Sequence, residues 1–216
     1  GFSLRDEDWA DWTLPDGTTR RQPAGDDMVF DMVIPAEESG TYRVELLARG
    51  KLGLVVLANF PVFSGVEEVD IELRAPAARR DETPEDEGSS LARLLALINQ
   101  DRVGAGLEPV EIDSELSRVA EAHSRDMRDN DFVGHTSPST GEAHDRVRRA
   151  GLPLTVVLEN IGLGSGAGQI HRHIMRSPGH RANVLHPDVT HVGLGVVRKQ
   201  TGEQRSFLVT EVFIRL

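Results

Sequence analysis

The chain has 216 residues, no cysteine and a formal net charge of −11. A chain of this length forms one or two domains, and the lack of cysteine excludes disulfides, thiolate zinc sites and cysteine nucleophiles. The acidic charge argues against an electrostatic nucleic-acid binder, and no apolar stretch is long enough for a transmembrane segment.

Charge and histidine content divide the chain into two regions. Residues 1–90 hold 20 acidic and 9 basic side chains, whereas residues 91–216 hold 15 of each and all 8 histidines. Between the two regions, residues 75–90 are polar, contain prolines and show no apolar periodicity, which is typical of a solvated linker. We therefore predict one domain over residues 1–74 and a second over 91–216.

Apolar and polar residues alternate with a period of two in the first domain. Such alternation predicts strands with one buried and one solvated face. Turn residues separate the strands at the spacing of an antiparallel sandwich, and we predict an Ig-like β-sandwich without a catalytic constellation. Trp9 and Trp12 are interpreted as packed aromatics at its edge. The predicted strands are 28–34, 42–46, 52–60 and 69–73.

Helical and strand patterns mix in the second domain, which indicates a layered α/β or α+β arrangement. Ser89 or Ser90 is the expected N-cap of a first helix that ends at Gly104, and Asp113 is the expected N-cap of a second helix. Further helices are predicted over 142–150 and 169–176, and strands over 154–158, 192–197 and 207–214.

Three side chains at loop or element ends are candidates for the chemistry of the second domain. His135 and His180 lie in predicted loops, and Glu159 follows a predicted strand. Two imidazoles and a carboxylate bind a divalent metal or transfer protons where they meet. Spacing alone leaves open whether they form such a site or a structural hydrogen-bond network.

Six short motifs follow one another in the second domain, at residues 95–107, 120–127, 134–138, 159–161, 177–185 and 192–196. In this order they resemble the CAP superfamily (cysteine-rich secretory protein, antigen 5, pathogenesis-related 1), in its bacterial SCP-like branch. The resemblance covers residues 91–216 and none of residues 1–90. It implies an α-β-α layered fold and an extracellular or cell-envelope location. Because the chain begins with Gly1 and not with methionine, we also expect either a processed product or an artificially shortened chain.

The resemblance further implies a shallow cleft lined by two histidines and up to two glutamates. His135 and His180 match the histidines and Glu159 matches the first glutamate, whereas Ser177 stands where many eukaryotic members carry the second. For such a cleft the resemblance implies a divalent metal such as zinc on His135 and His180, or a lipid or polar ligand. The substitution at Ser177 weakens any function that requires all four residues.

Three functions stay open at this point. The leading hypothesis is a secreted bacterial protein that binds a small-molecule, lipid or protein ligand without turnover, with the β domain as an accessory interaction module. The second is a metal-assisted hydrolase, a peptidase or esterase, that uses Glu159 as its base. The third is a structural adhesion module without a functional cleft.

The remaining histidines are assigned structural roles. His123 lies on the apolar stripe of the second helix and is interpreted as a packing residue. His171 and His173 point in different directions on a helix, so no joint metal site is expected. The histidines predicted to be surface or loop residues are His144, His186 and His191.

Two further patterns are interpreted as structural. Residues 162–167 fit the spacing of a dinucleotide-binding loop but lack the surrounding βαβ units, so we predict a flexible glycine loop beside the cleft. Arg146, Arg148 and Arg149 lie on a short predicted helix beside acidic residues and are interpreted as a solvated face.

Overall fold

Contacts divide the chain into two units, Gly1–Glu72 and Leu73–Leu216, here called the N-terminal unit and the C-terminal unit. The structure is a computed structural model. The residues that it describes are 9–14, 18–23, 38–50, 53–65, 86–201 and 204–216.

The N-terminal unit contains an antiparallel sheet of β1 (Trp9–Thr13), β2 (Thr19–Pro23), β3 (Gly40–Gly50) and β4 (Gly53–Ser64). The strands lie in the order β2–β1–β3–β4. Trp12, Tyr42 and Val44 are buried and pack together. The Tyr42 hydroxyl donates a hydrogen bond to the Glu38 carbonyl oxygen at 3.0 Å, which satisfies its polar end.

Two of the predicted strands are confirmed in this unit. Residues 42–46 lie within β3 and residues 52–60 overlap β4. Strands β1 and β2 were not predicted, because the polar run in β2 lacks an apolar alternation. Predicted strands 28–34 and 69–73 lie outside the described residues, so the Ig-like sandwich stays a prediction. Trp12 is packed as predicted.

In its described residues, the C-terminal unit contains helices α1 (Glu87–Gly104), α2 (Ser114–Asp129), α3 (Ala143–Arg149), α4 (Ala167–Arg176) and α5 (Pro178–Val184). Its strands are β5 (Glu111–Ile112), β6 (Val157–Gly164), β7 (His191–Thr201) and β8 (Gln204–Ile214). The strands form one sheet in the order β5–β7–β8–β6. β5 and β7 are parallel, and the other neighbours are antiparallel. No helix among the described residues is long and apolar enough to cross a membrane.

Helices cover both faces of this sheet. A Cβ atom on Gly193 of β7 would lie 2.3 Å from the α2 backbone, and one on Gly162 of β6 would lie 2.4 Å from the Ile170 side chain of α4. Gly193 pairs with Val212 and Gly162 pairs with Val209 on β8, an odd spacing that places them on opposite faces. The C-terminal unit therefore has the predicted α-β-α layers.

Helix α1 begins earlier than predicted. Asp86, and neither Ser89 nor Ser90, is the N-cap. The Asp86 carboxylate accepts a hydrogen bond from Ser89 N at 2.7 Å, and the Ser89 hydroxyl accepts one from Asp86 N at 2.9 Å, which forms a capping box. The last residues of the predicted linker therefore belong to α1, while its residues 75–85 lie outside the described residues. The predicted cap at Asp113 and helix end at Gly104 are confirmed.

Strand β6 occupies part of the segment that was predicted to be a flexible glycine loop. Gly162 and Gly164 are strand residues, and both lie beneath Ile170, where a Cβ atom would clash. The glycines thus serve helix–sheet packing and not loop flexibility. The loop predicted to carry His180 is likewise a helix, α5, with Pro178 in its first turn.

Arg102 fixes the chain between α5 and β7. Its side chain is fully buried at the end of α1. Because a guanidinium has five N–H donors and no acceptor, it suits a cluster of carbonyl oxygens. Arg102 therefore holds the carboxyl end of α5 in place. The carbonyl acceptors lie 2.8 to 3.2 Å away and belong to Glu108, Val184, His186 and Val189.

Candidate functional site

The candidate residues meet around strand β6, which lies at an edge of the C-terminal sheet. Consecutive strand residues point to opposite faces, so Glu159 and Asn160 face different helix layers. Glu159 contacts His135 and the side chain of Arg146 from α3. On the other face, Asn160 contacts the side chain of Asn183 from α5.

Both carboxylate oxygens of Glu159 are bound. His135 Nδ1 lies 3.0 Å from Oε1, and Arg146 Nη2 donates a hydrogen bond to Oε2 at 2.5 Å. Arg146 Nη1 donates to the carbonyl oxygens of His135 at 3.2 Å and Gly141 at 2.6 Å. The side chains of Glu159 and Arg146 are only 3% and 5% exposed. This buried pair therefore fixes the loop that carries His135.

Glu159 is a carboxylate at neutral pH in spite of its burial. Burial raises its pKa, but the hydrogen bond from His135 and the charge of Arg146 lower the pKa by more, with smaller effects of the charges of His135 and His123. A carboxylate only accepts hydrogen bonds. In the neutral form of the His135 ring, the contact with Glu159 therefore places the proton on Nδ1 and leaves Nε2 as an acceptor.

His180 lies in the first turn of α5, beside His135. The two ring centroids are 6.4 Å apart and the ring planes are inclined by 38°. Burial, together with the charge of His135, lowers the pKa of His180 to about 3, so this ring is neutral at neutral pH. Within the described part of the chain, three ring nitrogens have no hydrogen-bond partner: both of those of His180, and Nε2 of His135.

Two asparagines connect the histidine pair to the core. Asn160 Nδ2 donates to the His180 carbonyl oxygen at 3.2 Å and to Glu211 Oε2 at 3.0 Å. Asn183 Nδ2 donates to Asn160 Oδ1 at 2.9 Å and to the Glu159 carbonyl oxygen at 3.2 Å. All four amide N–H groups are used, so the orientations of both side chains are fixed.

Glu211 is a buried titratable group behind the site. It pairs with Asn160 across β6 and β8, and no part of it is exposed. Oε2 accepts the hydrogen bond from Asn160, while Oε1 has no partner among the described residues. Burial raises the pKa of Glu211 to about 7, against the smaller lowering effect of that hydrogen bond. Its charge therefore changes close to neutral pH.

Ser177 has a structural part in this arrangement. It is the N-cap of α5, and its hydroxyl accepts a hydrogen bond from His180 N at 3.3 Å. The residue is only 1% exposed. The structure thus brings His135, Glu159 and His180 together, and it places the Ser177 hydroxyl against the backbone of α5.

Two other histidines are buried in the same unit. His123 is confirmed as a packing residue, with Nε2 3.0 Å from the Gly134 carbonyl oxygen. Burial lowers the pKa of His123. The surface position predicted for His144 is wrong, because this ring is buried between the carboxylates of Glu142 and Asp145, each 3.1 Å away.

The pair His171 and His173 forms no joint site. His171 is buried, with Nε2 2.7 Å from Asp101 Oδ2, whereas His173 is exposed on the other side of α4. His186 and His191 are partly exposed, in agreement with their predicted surface or loop positions.

The interpretation of the basic cluster is corrected at Arg146. Arg148 and Arg149 are exposed, as predicted for a solvated face. Arg146 instead lies on the inner side of α3 and forms the buried pair with Glu159. Arg146 therefore neutralises the carboxylate of the site, a role that the sequence pattern did not indicate.

The described residues do not supply the ligand set of a resident zinc ion. No group of three or more histidine, aspartate or glutamate side chains among them is arranged to hold a metal. His135 and His180 offer two nitrogens, and the oxygens of Glu159 are already occupied. Catalytic zinc sites use three protein ligands and structural sites four, so two imidazoles alone form an incomplete site.

The chain is similar in sequence to known bacterial proteins. A sequence profile described as CAP, cysteine-rich secretory protein family, matches residues 95–213. The uncharacterized protein YkwD of Bacillus subtilis (strain 168) is 35% identical over 130 residues, which cover 57% of this chain and 51% of YkwD. The uncharacterized membrane protein YlbC of the same organism is 34% identical over 131 residues, 59% of this chain and 38% of YlbC. The chain thus spans about half, or less, of these relatives.

Two solved structures share the fold. An extracellular protein containing an SCP domain from Bacillus anthracis str. Ames aligns with a TM-score of 0.55 and 22% identity, over 83% of this chain and 65% of that one. An outer surface protein from Borrelia burgdorferi aligns with a TM-score of 0.53 and 20% identity, over 61% of this chain and 97% of that one. Because the family profile covers more than half of the chain and the fold agrees, this protein belongs to the CAP, or cysteine-rich secretory protein, family and is one of its bacterial members.

Proposed function

We propose that the C-terminal unit is a ligand-binding module whose contact surface is the imidazole pair of His135 and His180. The observation that carries this proposal is the 6.4 Å separation of the two ring centroids at a sheet edge. Neutral imidazole nitrogens without a protein partner accept hydrogen bonds or bind a metal. The ligand is therefore a molecule that carries hydrogen-bond donors.

Binding is favoured over hydrolysis with Glu159 as the base. A general base needs a pKa near the working pH and an oxygen that is free to take the proton. The pKa of Glu159 is lowered, and its two oxygens are held by His135 and Arg146. Glu159 is thus a positioning residue that sets the orientation and tautomer of His135.

Zinc is a useful probe of this surface, because the ion binds neutral imidazole nitrogen. Two protein nitrogens leave the other coordination positions to water, so the affinity is expected to be modest. In a calorimetric titration of the whole chain with zinc chloride at neutral pH, we expect one binding event. The double variant His135→Ala/His180→Ala should weaken it by more than about 100-fold, because both nitrogens are lost.

The matched control for this titration is His173→Ala, which removes an exposed histidine from α4 outside the pair. It should bind zinc like the unmodified chain. Equal heats for the unmodified chain and the double variant would remove the support for the proposal. That result would favour the third hypothesis, an adhesion module without a functional cleft.

The location and the accessory unit belong to the same proposal. An extracellular or cell-envelope location is supported by the names of the two solved structures, one an extracellular protein and the other an outer surface protein. The histidines belong to the C-terminal unit, and none lies in the N-terminal unit. We assign it the role of an accessory interaction module.

A further inference from the structure

The direction of the backbone groups in β6 follows from a hydrogen bond at the other side of the sheet. Thr190 N donates to the Ile214 carbonyl oxygen at 3.0 Å, so the backbone of Ile214 points towards β7. Backbone groups alternate along an antiparallel strand. The backbone N–H and C=O groups of Glu211 in β8 therefore point towards β6, where Glu211 pairs with Asn160.

The same alternation applies within β6. The backbone groups of Asn160 and Gly162 point towards β8. Those of Glu159, Ile161 and Leu163 point in the opposite direction, away from the sheet. The hydrogen bond that the Glu159 carbonyl oxygen accepts from Asn183 Nδ2, at 3.2 Å, agrees with this outward direction.

The outward backbone groups of Ile161 and Leu163 lack partners in the described part of the chain. β6 is an outer strand of the sheet there, and both residues are partly exposed. Each residue offers one N–H and one C=O. The two residues lie about 7 Å apart along the strand. This alternating row of donors and acceptors matches the backbone of another extended chain.

The open edge continues directly from the histidine pair. Glu159, which contacts His135, is two residues before Ile161 on the same outward side of β6. Outward-pointing residues of one strand also share a face, so the partly exposed apolar side chains of Ile161 and Leu163 lie in the same row. A polypeptide with alternating apolar residues is complementary to this row in both hydrogen bonding and polarity.

We infer that the β6 edge binds an extended polypeptide segment of a partner protein by strand addition, beside His135 and His180. This inference rests on the proposed function and names its ligand class. The backbone of Ile161 and Leu163 supplies the hydrogen bonds along the segment. The two imidazoles contact the peptide where it passes the end of the open edge.

Amide hydrogen exchange in the whole chain, followed by nuclear magnetic resonance, tests the inference. The probe is the blocked peptide acetyl-Lys-Thr-Val-Thr-Val-Thr-Lys-amide. The amides of Ile161 and Leu163 should exchange rapidly in the free protein and at least about 100-fold more slowly with saturating peptide, because a ladder hydrogen bond protects them. The amides of Asn160 and Gly162 should be protected in both states. The same peptide with N-methylated valines should give no protection.

A matched pair of variants tests the backbone N–H of Leu163 as a hydrogen-bond donor to the peptide. Leu163→Pro removes one outward N–H without removing a bond between β6 and β8, and should weaken peptide binding about 10-fold. Leu163→Ala keeps the N–H and should retain most of the affinity. If Leu163→Pro does not fold, the comparison with the N-methylated peptide decides.

Two results would overturn the inference. Protection of the Ile161 and Leu163 amides in the free protein would mean that this chain or a second copy already covers the edge. Absence of protection with saturating peptide would mean that the edge does not accept a strand. The zinc titration is independent of both results, since it reports on the imidazoles. If the double histidine variant loses zinc binding but the peptide does not protect the Ile161 and Leu163 amides, the proposed function stands and only the peptide ligand is refuted.

Discussion

Replacing Arg146 by methionine is expected to destabilise the C-terminal unit by about 3–5 kcal/mol at neutral pH. The variant keeps a flexible side chain of similar length but leaves the carboxylate of Glu159, only 3% exposed, without its cation. It also removes the donors to the carbonyl oxygens of His135 and Gly141. Urea unfolding followed by circular dichroism at the helix band measures the change.

The helix signal reports on the correct unit, because all described helices lie in the C-terminal unit. Arg148→Met, on the exposed side of α3, should stay within about 0.5 kcal/mol of the unmodified chain. The double variant Arg146→Met/Glu159→Leu should recover much of the loss, because no buried charge remains. A cost of less than about 1 kcal/mol for Arg146→Met would contradict the assigned pairing.

The second large effect concerns Glu211 and pH. Burial raises the pKa of Glu211 from its ordinary value of 4.5 to about 7. The folded chain therefore holds this proton more tightly than the unfolded chain, so the contribution of Glu211 to stability is fully present below pH 4.5 and is lost as the pH rises to about 7. The loss corresponds to about 3 kcal/mol.

Glu211→Gln should remove this loss. The glutamine oxygen still accepts the hydrogen bond from Asn160, and its amide group takes the place of the protonated Oε1, which has no partner among the described residues. The variant should match the unmodified chain below pH 4.5 and exceed it by about 3 kcal/mol above pH 7. Glu108→Gln, at an exposed position, should show the same pH dependence as the unmodified chain. Parallel pH curves for Glu211→Gln and the unmodified chain would refute the assignment.

The three principal site residues could be predicted because short motifs mark them. His135, Glu159 and His180 lie in an ordered set of family-like motifs, and the structure brings them together. Local patterns were sufficient for the cap at Asp113, because capping depends on residues only three positions apart. The cap at Asp86 was missed because Ser89, which completes the capping box, is itself a good N-cap residue.

Residues whose roles depend on tertiary packing could not be predicted in the same way. Nothing in the sequence separates Arg146 from Arg148 and Arg149, since the side of α3 that faces β6 depends on how the helix docks. Glu211 did leave a signal, a carboxylate within the mostly apolar segment 207–214. A charge at such a position, buried on both faces of the sheet, indicates a shifted pKa or a buried partner.

The tautomer of His135 is the sharpest test of the contact between Glu159 and the imidazole pair. A long-range nitrogen–proton spectrum of the histidine rings at neutral pH distinguishes a proton on Nδ1 from one on Nε2. We expect His135 to carry its proton on Nδ1, held by Glu159 3.0 Å away, with Nε2 free beside a neutral His180. A His135 ring protonated on Nε2, with Nδ1 unprotonated, would contradict the contact with Glu159 and with it the proposed binding surface.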